Sequence, residues 1–150
     1  MTPSIFPRDL SVEPVRVGVV GLGYWGPNLI RNLNELEGAD LRWICDLDQS
    51  RLDMFGRRYP TVRATREFDD LLLDPELDAI AIATPVSTHY PLGLAALEAG
   101  KHVFIEKPLA SSVAEAQQLQ SVAARSGLWR VPKPLTRVIH TMGWPLRGRK

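Results

Sequence analysis

Cysteine is almost absent from this chain: Cys45 is the only one in 150 residues, so no internal disulfide can form. That scarcity points to a reducing, cytoplasmic setting. Histidine is nearly as sparse, and His89, His102 and His140 show no metal-ligand spacing to one another or to Cys45, so no metal site is expected. No apolar run approaches the roughly 18–20 residues that cross a bilayer. The opening MTPSIFPRDLSVEP has neither a basic start nor an apolar stretch, which argues against a secretory signal. Acidic side chains are missing from one part of the chain: residues 129–150 carry six basic groups and no acidic one, whereas residues 1–128 carry 17 acidic against 12 basic groups. The net charge of +1 therefore conceals two regions of opposite character.

The composition is otherwise that of a globular domain, 45% hydrophobic and 23% charged. Short apolar runs alternate with helical patterns. VRVGVV (15–20) reads as a buried strand ending at Gly21. Residues 25–36 set Leu29, Ile30, Leu33 and Leu36 on one helical face, with Gly38 placed for a left-handed cap. LRWIC (41–45) reads as the second strand and DQSRLDMFGRRY (48–59) as a helix that buries Leu52 and Phe55. VRAT (62–65) is a weak third strand and LDAIAIAT (77–84) a strong fourth. Residues 88–99 follow as a helix with Leu92, Ala95, Ala96 and Ala99 on its face, closed by Gly100. HVFIE (102–106) is expected as a central, buried fifth strand, and Ser112 with Glu115 matches a capping box for a helix to about Arg125. The alternation predicts an α/β fold, a doubly wound parallel sheet of the Rossmann type. Its expected divisions are an irregular leader over 1–14, a folded domain over 15–127, which the glycine loop over 21–26 marks as dinucleotide-binding, and an atypical basic tail over 128–150.

GLGYWG (21–26) has G-x-G-x-x-G spacing between a strand and a helix. In a dinucleotide site Gly21 allows the tight turn, Gly23 lets a pyrophosphate approach the backbone, and Gly26 lets the helix pack close. Free N–H groups at the helix start then face the phosphates. Pro27 sits in the first turn, where its missing donor costs nothing. Tyr24 and Trp25 offer backbone N–H groups to the same phosphates; their side chains either flank a nicotinamide or pack. Asp46 ends the second strand 20 residues after Gly26, placed to accept from both hydroxyls of an adenosine ribose. It would repel a 2′-phosphate, which favours NAD over NADP; Arg51 is the weaker candidate for taking such a phosphate.

Glu106 and Lys107 end the fifth strand on the same sheet edge, where ligands of open α/β sheets bind. Pro108 stops the ladder, and the Lys107–Pro108 bond is a candidate cis peptide. A lysine there could hydrogen-bond a substrate oxygen as hydride leaves carbon. A solvated lysine beside an ion-paired Glu106 is the plain alternative.

GLGYWG after VRVGVV, CDLD (45–48), ATPVSTHY (83–90) and AGKHVFIEKPLA (99–110) together resemble the amino-terminal domain of the glucose–fructose oxidoreductase, inositol dehydrogenase and rhizopine-catabolism (Gfo/Idh/MocA) family, over about residues 15–127. The resemblance implies a pyridine-nucleotide oxidoreductase acting on sugars, sugar nucleotides or polyols. It implies that Gly21, Gly23 and Gly26 cradle the pyrophosphate and that Asp46 holds the ribose. Thr84 and Pro85 would line the cofactor groove, with His89 beside it unless it serves as a capping or packing residue. Glu106 and Lys107 match the family's Glu-Lys-Pro signature, whose lysine contacts cofactor and substrate.

The resemblance stops at the tail. LWRVPKPLTRVIHTMGWPLRGRK (128–150) lacks the family's next strand and Gly-His turn, and the family's substrate domain is expected to be missing. A frameshift or truncation is the expected origin, ahead of a basic arm for nucleic acid or membrane. His140 does not match the family's catalytic histidine motif. Such a chain would bind NAD more readily than it turns over substrate, and exposed apolar surface would favour self-association. The alternatives are a non-catalytic nucleotide-binding module or inactive fragment, and a methyltransferase, which Pro27 and the Glu106-Lys107-Pro108 end oppose.

Overall fold

The computed structural model describes residues 13–128; the ends assigned above to a leader and a basic tail lie, apart from Glu13, Pro14 and Leu128, outside the described residues. Five parallel strands form one sheet in the order β3-β2-β1-β4-β5. They are β1 (Val15–Val20), β2 (Ala39–Cys45), β3 (Arg63–Thr65), β4 (Ala79–Ile82) and β5 (His102–Ile105). The helices are α1 (Gly26–Glu35), α2 (Gln49–Arg58), α3 (Phe68–Leu73), α4 (His89–Glu98) and α5 (Val113–Ser126), with a 3-10 turn at Val86–Thr88. The chain winds outward from β1 through β2 to β3, then returns to the other side of β1 for β4 and β5. The expected doubly wound α/β architecture is therefore present, with its switch point between β1 and β4.

Strand alternation sorts the core into two layers. Val17 and Val19 of β1 and Ala79 and Ala81 of β4 face α1 and α2, where Leu29, Ile30, Leu33, Leu52 and Phe55 cover them. Val20, Ile80 and Ile82 face the opposite layer, closed by Leu71, Ala96, Leu97, Leu119 and Ala123. Gly18 sits under α3, since a Cβ there would lie 2.8 Å from Leu71 Cδ2.

Four expectations change. β5 is not central but ends the described strand order, and its Val103 and Phe104 are half-buried. Gly38 takes no left-handed conformation, because α1 ends instead on extended Leu36. The buried face of α4 is His89, Gly93, Ala96 and Leu97, rotated from the expected one, and Ala99 is exposed. A Cβ on Gly93 would lie 2.8 Å from Ile105 Cδ1, so the glycine is what lets this face approach the sheet. The short helix α3 had no counterpart in the sequence pattern. Gly100 does close α4 with φ +78°. Ser112 accepts from Glu115 N at 3.2 Å, while the Glu115 carboxylate reaches back to Ser111 N at 3.1 Å.

Three carboxylates make this fold acid-sensitive. Asp74 accepts from Trp43 Nε1 at 2.7 Å, and that bond is the main reason its carboxyl lies below the usual carboxylate range, against the opposing effect of burial. Ser50 holds Asp48 low in the same way. For Asp78 burial is the largest influence and acts upward, but the bonds from Arg16 outweigh it and the carboxyl is lowered. Groups held low when folded take up protons first in the unfolded chain, so their stabilisation is complete above about pH 4 and is lost as pH falls through the folded values. The urea midpoint should drop steeply below about pH 4, with a shallower drop in Asp74→Asn. A midpoint flat down to pH 3 would contradict this assignment.

Candidate nucleotide-binding site

The carboxyl ends of β2, β1, β4 and β5 are tied side by side by backbone bonds. Gly21 N donates to Cys45 O at 2.9 Å, Ala83 N to Val20 O at 2.8 Å and Glu106 N to Ile82 O at 2.9 Å. The four segments singled out in the sequence therefore share one edge of the sheet.

Gly21 turns the chain out of β1 with φ +91°, a left-handed conformation that side chains resist. A Cβ there would also lie 2.6 Å from Ala83 O, so the loop is wedged against the end of β4. Leu22 is 2% exposed and anchors the loop in the core. Gly26, the first residue of α1, would place a Cβ 2.1 Å from Gly21 O, so the helix starts in direct backbone contact with the turn. Gly23 is the exception. The nearest atom to a Cβ there is Arg51 Nη1 at 3.7 Å, leaving the backbone bare toward the crevice. Trp25 caps α1 without a side-chain bond and Pro27 occupies the first turn, as expected. Among the described residues no protein acceptor takes the N–H groups of Gly23, Tyr24 or Trp25. Tyr24 is 85% exposed and meets the Trp25 ring edge-on at 5.1 Å, so its side chain stands on the rim rather than in the core.

Asp46 faces this loop. Its Oδ2 accepts from Leu22 N at 2.7 Å and its Oδ1 from Asp48 N at 2.8 Å. Oδ2 also accepts from Arg51 Nη1 at 3.4 Å, so Oδ1 has a place for a further donor and Oδ2 gains one when the Arg51 side chain swings away. The Arg51 guanidinium lies 3.4 Å from Asp46 and 3.6 Å from Asp48, so a cation sits between the acid and the glycine loop. Burial, then the neighbouring acids beginning with Asp46, push the Cys45 thiol up to about 12, which leaves it inert at neutral pH.

On the other side of the switch point, Thr84 is half-buried and Pro85 exposed. Thr88 Oγ1 lies 2.6 Å from Thr84 Oγ1 and 2.7 Å from Pro85 O, which draws this segment into its turn. His89 is 1% exposed, with Nδ1 2.8 Å from Pro108 O and Nε2 2.7 Å from Thr84 O. Through these contacts it joins the segment after β4 to the segment after β5. Glu106 is half-buried and Lys107 exposed, and the Lys107–Pro108 peptide is cis. Among the described residues neither Glu106 nor Lys107 enters an ion pair. No group of three or more metal-ligating side chains occurs among the described residues, and none of their helices is long and apolar enough to cross a membrane.

The features present suit a dinucleotide: a bare glycine backbone with amides at a helix start, a carboxylate one strand away, and a switch-point crevice between them. Fold and site together define the class, a Rossmann-type nucleotide-binding domain. Residues 15–131 match the family described as "Oxidoreductase family, NAD-binding Rossmann fold" (GFO_IDH_MocA), and the chain belongs to that family. It is 35% identical over 122 residues to a glycosyl hydrolase family 109 protein of Shewanella amazonensis, a match covering 75% of this chain and 27% of that one. Among solved structures it is similar to GenD2 from gentamicin A biosynthesis in complex with NAD, with TM-score 0.76 and 33% identity over 83% of this chain and 36% of that one. It is also similar to myo-inositol 2-dehydrogenase from Lactobacillus plantarum, with TM-score 0.70 and 29% identity over 76% of this chain and 34% of that one. The chain spans about a quarter to a third of the length of these relatives.

Proposed function

We propose that this chain supplies the NAD-holding domain of an oxidoreductase that acts on a sugar, sugar nucleotide or polyol. The single observation carrying the cofactor assignment is the carboxylate of Asp46, bonded to Leu22 N at 2.7 Å and thereby fixed beside the glycine loop with acceptor capacity to spare. Two ribose hydroxyls can donate to it, whereas a 2′-phosphate would meet its negative charge. The amides of Gly23, Tyr24 and Trp25 and the start of α1 favour a diphosphate by direct donation and by the helix dipole. Thr84 and Pro85 form the floor toward the nicotinamide, with Glu106 at its far side. A bound nicotinamide dinucleotide supplies hydride exchange. Lys107 is the catalytic candidate: an exposed ammonium two residues beyond β5, able to donate a hydrogen bond to a substrate hydroxyl or carbonyl oxygen and stabilise charge there. The substrate class rests on the inositol dehydrogenase and gentamicin-biosynthesis neighbours.

Isothermal titration of the full chain tests the reading. NAD should bind at one site and NADP more weakly. A chain that ignores both nucleotides would end the proposal, and one that prefers NADP would transfer the ribose end from Asp46 to Arg51.

A further inference from the structure

His89 is a buried titratable group for which the proposed chemistry has no use. Its two ring nitrogens lie 2.8 Å from Pro108 O and 2.7 Å from Thr84 O. Both partners are backbone carbonyls, which only accept. A neutral imidazole has one N–H and one bare nitrogen, so it could bond one of them and would set lone pair against lone pair at the other. Only a ring protonated on both nitrogens satisfies both contacts, and hydrogen bonds from a charged donor are stronger than neutral ones.

The two carbonyls belong to the two loops that flank the proposed nicotinamide end of the crevice. Thr84 lies two residues beyond β4, and Pro108 follows Lys107, which lies two residues beyond β5. The backbone already ties these strands at Glu106 N to Ile82 O. Beyond that point the ring is a bridge between the segments, 5 residues from one and 19 from the other. It is 1% exposed, which shields both bonds from competing water but also opposes charge on the ring, so the two charge-assisted bonds must outweigh that desolvation.

We propose that His89 is a positioning residue: a two-donor imidazolium clamp that fixes the Thr84–Pro85 floor against the Lys107–Pro108 segment and so sets where the lysine stands over the cofactor. This rests on the nucleotide-binding reading for its purpose, but not for its chemistry. A clamp of this kind holds the crevice at one width before any ligand arrives, which lowers the ordering cost of binding.

Proton-detected nitrogen-15 spectra of the histidine-labelled full chain at pH 7, without nucleotide, test the clamp itself. His102→Gln and His140→Gln identify the other two imidazoles, leaving His89 assigned. The expected signature is a proton on each His89 ring nitrogen, both slow to exchange. One protonated and one bare nitrogen would overturn the proposal. His89→Gln tests the consequence. A glutamine amide presents N–H on one side only, so it can hold one carbonyl and opposes the other. Folded His89→Gln should bind NAD at least tenfold more weakly than the unaltered chain, and unchanged affinity would refute the positioning role. If His89→Gln does not fold, the spectra of the unaltered chain decide. If the unaltered chain binds no NAD, the nucleotide reading fails by itself while the protonation result still stands or falls.

Discussion

Asp46→Ala is expected to weaken NAD binding at least tenfold, about 1.4 kcal/mol, and to weaken NADP less or strengthen it. The carboxylate would accept two ribose hydroxyls, and hydrogen bonds to a charged acceptor contribute about 1.5–3 kcal/mol each. The bond from the 2′-hydroxyl is open only to NAD, whereas the 3′-hydroxyl of either nucleotide can donate, so the loss falls more heavily on NAD. The same substitution removes the partner of Leu22 N and of Asp48 N, so some loosening of the glycine loop will reach both nucleotides equally. The preference, not the absolute affinity, is therefore the informative quantity. It should shift further because Arg51, now 3.4 Å from Asp46, is released toward any phosphate on the ribose. In Asp46→Ala/Arg51→Gln that relative gain for NADP should vanish. Parallel titrations of both nucleotides against the three proteins decide it. Equal losses for NAD and NADP in Asp46→Ala would remove Asp46 from the ribose.

The features that could be read from the residues are those encoded locally. VRVGVV and LDAIAIAT are β-branched or small apolar runs whose alternate residues serve opposite layers, so strand identity follows from composition. The glycine spacing, Pro27 and Asp46 are likewise short-range signals, and the bond from Leu22 N to Asp46 brings them together as expected. What escaped depends on distant partners. β5 has the same composition whether it is central or at the end of the order, and only its pairing with β4 decides. α4 is apolar on nearly every side, so its pattern carried no phase, and Gly93 against Ile105 selects the face. α3 spans six residues, too few for a helical period, and its Glu67 cap makes no side-chain bond. Its necessity comes from Leu71 filling the space over Gly18, which no local pattern records. The resemblance suggested His89 beside the cofactor groove, with capping or packing as the alternative, but its ring partners could not be read, because both are main-chain carbonyls that any residue provides. Arg51 was legible as a cation five residues beyond Asp46, but its position over Gly23 is set by how α2 docks.

Two glycine substitutions three residues apart should have opposite signatures. Gly26→Ala puts a methyl 2.1 Å from Gly21 O and 3.0 Å from its carbonyl carbon, and both are backbone atoms that cannot swing aside. The start of α1 must move off the turn, and overpacking of this kind costs about 1–3 kcal/mol or more. Stability and nucleotide binding should fall together. Gly23→Ala meets only Arg51 Nη1 at 3.7 Å, an ordinary contact with a flexible side chain, and Gly23 has no positive φ to strain. Its urea midpoint should correspond to a change within about 0.5 kcal/mol, as for a surface substitution. The new methyl nonetheless covers the backbone on which the diphosphate is expected to rest, holding it off the amides of residues 23–25. NAD affinity should drop about a hundredfold, roughly 2.7 kcal/mol, in a chain as stable as the original. Paired denaturation and calorimetry on the two variants read both effects. Gly23→Ala binding NAD with unaltered affinity would show that the diphosphate does not lie over this loop, because no loss of folding could then be blamed or credited.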